Sequence, residues 1–395
     1  MSRKPITLLA LGHACVDVYQ GAVAALVPYF VSERAYAYAA ASGIVLAASI
    51  LSSVAQPLFG AFTDRWAMPW LLPVSTLTAG AGVALAGVAG SYPLTLVVVA
   101  VSGIGVAAFH PESARAARVA SGGSHIGMGW YSLGGNLGFA TAPLLVAAVI
   151  ATGGLRASPL LAVPAVVGAA LCVAALRAVR VPATGASPSG GPPGRDDWRS
   201  FLTMSGAIVC RSIVFVGLSA FVSLYARQRT GGGDAAGTAA LFVLYLGGAV
   251  GTVAGGRLAT RYGRVAVVRW SYALAAFAVA GVVFVPGPPL YLFVALTSAG
   301  LYVPFSLHIT LGQDYLPGRV GTASGVTLGL TVSVGGLASP LIGATADATS
   351  LQTALAPLIA LPALGWLLLR RLQEPEIPAA LIIPVAEDAP GLHAK

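Results

Sequence analysis

The sequence predicts an all-α membrane protein with twelve transmembrane helices in two pseudo-symmetric six-helix halves. Three observations predict it. The 395-residue chain is 57% hydrophobic and 9% charged, with a mean hydropathy of +0.84, whereas soluble domains carry roughly 25% charged residues. Its apolar runs are about 20 residues long, enough for one helical crossing each, and they lack the strict alternation of barrel strands. The third observation is a near-repeat. Phe221 answers Leu26, Gly256 and Arg261 answer Gly60 and Arg65, Phe305 answers Phe109, and Gly335 and Pro340 answer Gly138 and Pro143. The offset drifts slowly, as a duplication with small insertions leaves it, and repeated halves around a midplane site are a transporter architecture.

In chain order the first helix is expected at 6–30, after Arg3 and Lys4, and is interrupted by His13, Asp17 and Gln20. Those polar residues spoil any secretory h-region, so this is read as a retained span. The second, 38–62, ends in GAFTDRWAMPW with Gly60, Asp64 and Arg65, and the third follows at 69–90. The fourth, 94–116, opens with the uncharged LTLVVVAVSGIGVAA and reaches His110, Pro111 and Glu112. The fifth and sixth, 124–152 and 157–180, complete a first half over 1–181. PATGASPSGGPPGRDD follows, a Pro/Gly/Ser-rich stretch that buries little apolar area and reads as a cytoplasmic linker over 182–198.

The second half, 199–373, is expected to hold helices at 200–226 (with Arg211), 235–259, 265–286, 289–313, 320–346 and 350–371. Residues 374–395 read as a mobile cytoplasmic tail. Prolines within these spans, such as Pro28, Pro57, Pro143, Pro304 and Pro340, are tolerated because neighbours satisfy the freed carbonyls. The three cysteines, Cys15, Cys172 and Cys210, lie in apolar runs with no disulfide or metal spacing.

Short-loop Lys and Arg residues set the orientation. With the N-terminus inside, the cytoplasmic face collects Lys4, Arg65, Arg115, Arg118, Arg177, Arg257, Arg261, Arg264, Arg319, Arg370 and Arg371 among others. The opposite face keeps only Arg34, Arg156, Arg227 and Arg229. Both termini are therefore expected in the cytoplasm, in a plasma (inner) membrane, and the net charge of +9 needs no nucleic-acid partner.

Ionisable residues in apolar runs mark candidate sites, because charge at such depth is expensive. His13, Asp17 and Gln20 share one helical face, with Asp17 roughly 16 Å into its span, near the midplane. A carboxylate there tends to be neutralised or paired, so it reads as a proton carrier, with a structural hydrogen-bonding pair between helices as the alternative. Arg211 sits at the corresponding place in the second half, as a partner for Asp17 or a contact for an anionic substrate. His110 and Glu112 point about 200° apart on a helix. Arg115 and Arg118 follow Glu112 at three-residue steps, so an inner-gate ion pair competes with a transport role. His308, Gln313 and Asp314 form a third cluster, and the three clusters are expected to converge on one polar cavity. Gly60, Asp64 and Arg65, with Arg115 and the partial repeat at Gly256 and Arg261, read as a cytoplasmic gate in which the glycine permits close helix approach. The chain has no GxxxxGKS phosphate loop, HExxH or Cys/His metal spacing, or GxSxG elbow. It is therefore expected not to be an enzyme, to need no cofactor or metal, and to draw energy from an ion gradient.

At this level of detail the chain resembles the major facilitator superfamily, and within it the fosmidomycin resistance group of drug efflux proteins. The resemblance rests on GHACVDVYQG, QPLFGAFTDRWAMPWLLP, FHPESARAARVASGG with GGNLGFATAPLL, and QDYLPGRVGTASG, and covers most of Ile6 to Arg371. It implies proton-driven export from the cytoplasm of small drugs such as phosphonate antibiotics; the protein is expected to act as a monomer. One departure is visible: where the second-half gate motif usually carries an acid, this chain has Thr260, so the two gates are not symmetric. Two other readings stand beside drug efflux: proton-coupled uptake of an organic anion or nutrient, and a membrane enzyme or sensor using His110 and Glu112.

Overall fold

The computed structural model describes residues 4–121, 125–178 and 195–375. Within them each of the twelve expected spans is helical, and ten helices are long and apolar enough to cross a membrane. The first six segments are α1 (Lys4–Arg34), α2 (Tyr38–Arg65), α3 (Leu71–Ala86), α4 (Tyr92–Ala120), α5 (His125–Ile150), and a 3₁₀ stretch Gly154–Ala162 that runs into α6 (Val163–Ala178). Next come α7 (Trp198–Thr230), α8 (Gly233–Tyr262) and α9 (Arg264–Phe284). The tenth span is broken into α10 (Leu290–Tyr302) and α11 (Phe305–Tyr315). Pro304 has no N–H to continue the ladder, so the helix breaks at Val303 and Pro304 while both keep right-handed helical torsions within one span, Leu290–Tyr315. The last two spans are α12 (Val320–Ala348) and a composite of α13 (Leu351–Leu355), a 3₁₀ turn and α14 (Ala360–Leu369).

Small residues bring the helices together, as lipid-embedded packing requires. A Cβ added at Gly138 of α5 would lie 2.0 Å from the Ala14 carbonyl oxygen of α1, and one at Gly335 of α12 would lie 2.3 Å from that of Ser212 in α7. The same contact thus recurs at the two repeat-related glycines. A second recurring pair was not read from the sequence: Gly105 lies against Ser75 and Ala79, and Gly300 against Ser271 and Ala275.

The first six segments meet the later ones chiefly where α2 packs on α12 and α5 on α8. The ties concentrate at the end where α1 finishes and α2 begins. There the Asp347 carboxylate accepts the amides of Tyr38 and Ala39, Gln228 Nε2 donates to the Tyr38 hydroxyl at 3.3 Å, and the Tyr38 and Phe221 rings stand edge to face. At the opposite end, a Cβ at Gly60, Gly129 or Gly256 would meet nothing within 4 Å. Gly60 therefore makes no close helix approach in this conformation, contrary to the expectation from sequence.

The segment expected as a linker lies outside the described residues up to Gly194. Its end is anchored: Asp196 accepts from Gly318 N at 3.0 Å, the Asp197 amide donates to the Tyr315 carbonyl at 2.7 Å, and the Asp197 carboxylate caps α7 through Ser200 N at 3.0 Å. The tail expected from Glu374 begins fixed, because Glu374 pairs with Arg264 at 2.7 Å and accepts from Val265 N at 2.9 Å. Residues 376–395 lie outside the description.

Candidate functional site

Near the middle of α1, one buried carboxylate is gripped by two imidazoles. Asp17 Oδ2 lies 3.2 Å from His13 Nε2, and Asp17 Oδ1 lies 3.1 Å from His110 Nε2 of α4. The first pair follows from i, i+4 spacing on one helix face. The second requires α4 to pack on α1, which no local spacing reveals.

Both rings are held from behind. His13 Nδ1 is 3.0 Å from the Tyr131 carbonyl oxygen, and His110 Nδ1 is 2.7 Å from the Val106 carbonyl oxygen, one turn back on α4. A carbonyl oxygen can only accept, so each Nδ1 carries the hydrogen and each Nε2 aims at Asp17 with a lone pair or a second proton. His13 also stacks on Tyr131 with ring centroids 4.3 Å apart and lies 5.9 Å from Phe109, while the Tyr131 hydroxyl is joined to Ser113 Oγ. His110 is the accessible member: its side chain is 24% exposed, against 9% for His13 and 12% for Asp17.

Gln20, expected on the same face, lies one turn further along α1 and lines a cavity with Tyr19, Val45, Ser102, Phe139 and Tyr245. This cavity sits between α1, α2, α4 and α5 on one side and α7 and α8 on the other. Its walls are mostly apolar, with Gln20, Ser49, Ser52, Ser102 and Ser219 as polar points.

Glu112 points away from His110, as the helical angle predicts, and is fully buried against Arg115, whose Nε donates to Glu112 Oε2 at 3.0 Å. The structure does not bring Arg211 to Asp17. Its Nη1 donates to the Leu301 carbonyl at 2.8 Å, and the guanidinium lies over Phe305, 5.4 Å from the ring centroid. The reason is the break after Tyr302, which leaves carbonyl groups of the last α10 turn without helical partners and open to a cation.

His308 is buried beside Tyr272, at 5.8 Å between ring centroids, and does not join the Asp17 cluster. Asp314, expected in the cavity, is instead a surface ion-pair partner of Arg264. Six residues separate it from His308, which on a helix turns it about 240° away. Gln313 lies next to it, half-buried on α11. Tyr302 was missed by sequence reasoning: it is buried, within electrostatic reach of both Asp17 and Arg211, and packed edge to face on Phe215. Of the expected gate, Gly60 and Gly256 meet open space and Arg261 lies over the Tyr262 ring. The Asp64 and Arg65 side chains lie outside the description.

The comparisons with known proteins agree with this architecture. The Major Facilitator Superfamily profile matches residues 9–340. The chain is 29% identical over 371 residues to the fosmidomycin resistance protein of Escherichia coli, covering 91% of this chain and 90% of that protein. It is 28% identical over 380 residues to the uncharacterized MFS-type transporter YfnC of Bacillus subtilis, covering 92% and 91%. Among solved structures it is similar to a bacterial homologue of the human lysosomal transporter Spinster in an inward-facing and occupied conformation, with a TM-score of 0.78 at 15% identity, covering 95% of this chain and 98% of that one. It is also similar to the nucleoside transporter NupG, with a TM-score of 0.76 at 12% identity, covering 93% and 99%. At those identities the solved structures speak for the fold alone. With a profile match across most of its length and helices that fit it, the chain belongs to the Major Facilitator Superfamily and is a multi-pass membrane transporter.

Proposed function

We propose that this transporter is a proton-coupled antiporter that exports small drugs from the cytoplasm by alternating access, with Asp17, His13 and His110 as its proton site. The carrying observation is that two Nε2 atoms lie 3.2 and 3.1 Å from one carboxylate while both Nδ1 atoms face carbonyl oxygens. A neutral ring with its hydrogen on Nδ1 presents a lone pair to the carboxylate, which repels it. Each contact becomes a hydrogen bond only when a proton lies between the two atoms.

The cluster's charge therefore changes with its proton load in a place where net charge is costly. Loading and unloading bias which side the cavity opens to, and that is how a gradient directs transport. One proton crossing about 100 mV supplies about 2.3 kcal/mol, which supports on the order of a fiftyfold gradient of a neutral drug at 1.4 kcal/mol per decade. The export direction and drug substrate rest on the likeness to the fosmidomycin resistance protein. The two-sided cavity with apolar walls fits an amphipathic cargo.

We also propose that both termini and the basic helix ends face the cytoplasm of a plasma membrane, so that the Tyr38–Asp347 end is extracellular and closed here. In intact cells Thr152→Cys should react with an impermeant maleimide and Thr260→Cys should not; the reverse pattern would invert the topology.

Proteoliposome transport with an imposed pH gradient tests the coupling. Asp17→Asn should still bind drug and exchange it passively but fail to concentrate it. Pumping at the wild-type rate by this variant would remove Asp17 from the mechanism. A second reading, carriage of an organic anion, draws on Arg211, the only fully buried Arg or Lys among the described residues. Loss of anion affinity in Arg211→Gln, with neutral-drug transport retained, would favour it.

A further inference from the structure

We infer that His13, Asp17 and His110 also form a three-ligand site for a borderline divalent transition-metal cation, of the class of Zn²⁺ and Co²⁺. The three residues offer two imidazole nitrogens and a carboxylate oxygen, all within 4.8 Å of one another. Metal bonds of about 2.0–2.2 Å to such donors place ligand atoms roughly 3.3–3.6 Å apart in a tetrahedron. His13 Nε2 lies 3.2 Å from Oδ2 and His110 Nε2 3.1 Å from Oδ1, one imidazole to each oxygen, so a small shift of one ring brings both to a shared ion.

Three further features match a metal site. Each histidine has its other nitrogen on a backbone carbonyl, at 3.0 and 2.7 Å; this outer bond is the one metal-binding histidines make, because it fixes the ring and leaves the Nε2 lone pair for the ion. His13 Nε2 and Asp17 Oδ1 are buried and make no hydrogen bond. Gly135 of α5 faces the ligands: a Cβ there would come within 2.5 Å of His13 Cε1, 2.6 Å of Asp17 Oδ2 and 2.7 Å of His13 Nε2. Only a glycine lets α5 approach the donor atoms this closely, and any side chain there would displace His13 and Asp17.

The donor set selects the metal class. Two imidazoles with one carboxylate suit Zn²⁺, Co²⁺ or Ni²⁺ better than Mg²⁺ or Ca²⁺, which prefer oxygen shells. Three protein ligands leave coordination positions open, as in sites that exchange their fourth ligand. His110, the most exposed of the three, gives the ion its way in. Metal and proton use the same lone pairs, so their occupancy is mutually exclusive and a bound ion blocks pumping. The binding rests on the geometry alone, whereas the block of pumping rests on the proton reading above.

Zn²⁺ is titrated into the purified full-length protein in detergent against a chromogenic chelator, and the bound ion is examined by X-ray absorption. We expect one equivalent bound at micromolar affinity or tighter, with a nitrogen and oxygen shell at about 2.0–2.2 Å and no sulfur. Asp17→Ala and His110→Ala should each weaken binding at least tenfold. So should Gly135→Ala, which keeps all three ligands but pushes His13 and Asp17 out of position. Cys15→Ser should bind as the wild type does. Size-exclusion profiles and thermal melts of each variant establish that it is folded. Absence of stoichiometric binding to the wild type, a sulfur shell, or undiminished binding by folded Asp17→Ala overturns the assignment. Stoichiometric binding to a protein that shows no proton-driven transport would leave the metal site standing and remove the proton reading instead.

Discussion

The Asp347 carboxylate near the end of α12 accepts the Tyr38 amide at the start of α2 at 2.8 Å, and its second oxygen accepts the Ala39 amide at 2.9 Å. The residue at the α2 N-cap, Ala37, supplies no side-chain cap of its own. A helix start leaves unpaired N–H groups and a partial positive charge, so α12 provides from across the interface what α2 lacks locally. The cap joins helices of the two halves, so separating α2 from α12 at this end would break it. We read it as a latch whose loss hands two exposed backbone donors to water.

Asp347→Asn keeps the size and removes the charge and one acceptor. Losing a cap costs typically about 1 kcal/mol, which is a shift of roughly fivefold in a two-state population. Spin labels at Arg156→Cys and Gly231→Cys, in a background without native cysteines, report the width of this end by pulsed resonance. The variant should gain a longer-distance population. An unchanged distance distribution would deny the latch any role in conformational choice.

The repeat-related glycines divide into two kinds, and their substitution should divide too. Gly138→Val and Gly335→Val drive a side chain into a backbone carbonyl, where the added Cβ already falls at 2.0 and 2.3 Å. Overpacking of this sort costs about 1–3 kcal/mol or more, so both should lower the melting temperature in detergent. Gly60→Leu and Gly256→Leu meet open space in the present conformation. They should leave the melting temperature within a few degrees of wild type but slow turnover, if this end must close in the alternate state. Normal transport by both leucine variants would show that the two glycines never approach a neighbour.

The helices were legible because apolar run length is a local property, and even the α10/α11 break was marked by Pro304. The i, i+4 pair of His13 and Asp17 and the opposed directions of His110 and Glu112 were legible for the same reason. What could not be read was contact between distant segments. Only the packing of α4 on α1 brings His110 to Asp17, and only the backbone of Tyr131 and Val106 fixes the imidazole hydrogens. The grouping of His308 with Asp314 failed where closer use of periodicity would have corrected it, since six residues cannot share a face. Arg211 was placed with Asp17 by analogy of position, and the free carbonyl at the broken tenth span claimed it instead.

Glu112 is fully buried and its charge is met by Arg115 one turn on. Glu112→Gln takes the charge from a fully buried carboxylate and so removes this ion pair, while Arg115 is 18% exposed, so the cost falls below the about 3–5 kcal/mol of breaking a fully buried pair. Glu112→Gln should therefore lower thermal stability, and Glu112→Gln with Arg115→Gln should show a loss smaller than the sum of the two single variants. The same double variant should still respond to a pH gradient. A stable Glu112→Gln protein that has lost only its pH response would move the coupling role from Asp17 to Glu112.

His110 is where the proposed proton site meets its surroundings. Its side chain is 24% exposed, whereas His13 at 9% is sandwiched between Tyr131 and Phe109 and Asp17 at 12% is covered by both rings. Under the proton-coupling proposal, a proton reaching the cluster meets the more exposed His110 Nε2 before Asp17 and is handed on across 3.1 Å. His110→Asn takes away this relay but leaves the His13–Asp17 pair and the stacking around it. It should slow proton entry while leaving a site that a proton can still reach, so pump rates should fall at least tenfold while equilibrium drug binding stays within a few fold. His13→Asn, by contrast, removes a ring from a packed aromatic stack and should lower stability as well as transport. Currents on solid-supported membranes separate the two effects, because proton-loading steps appear there before turnover. If His110→Asn gives the same proton-driven current rise as wild type, the proton reaches Asp17 by another path and His110 serves only to hold the carboxylate.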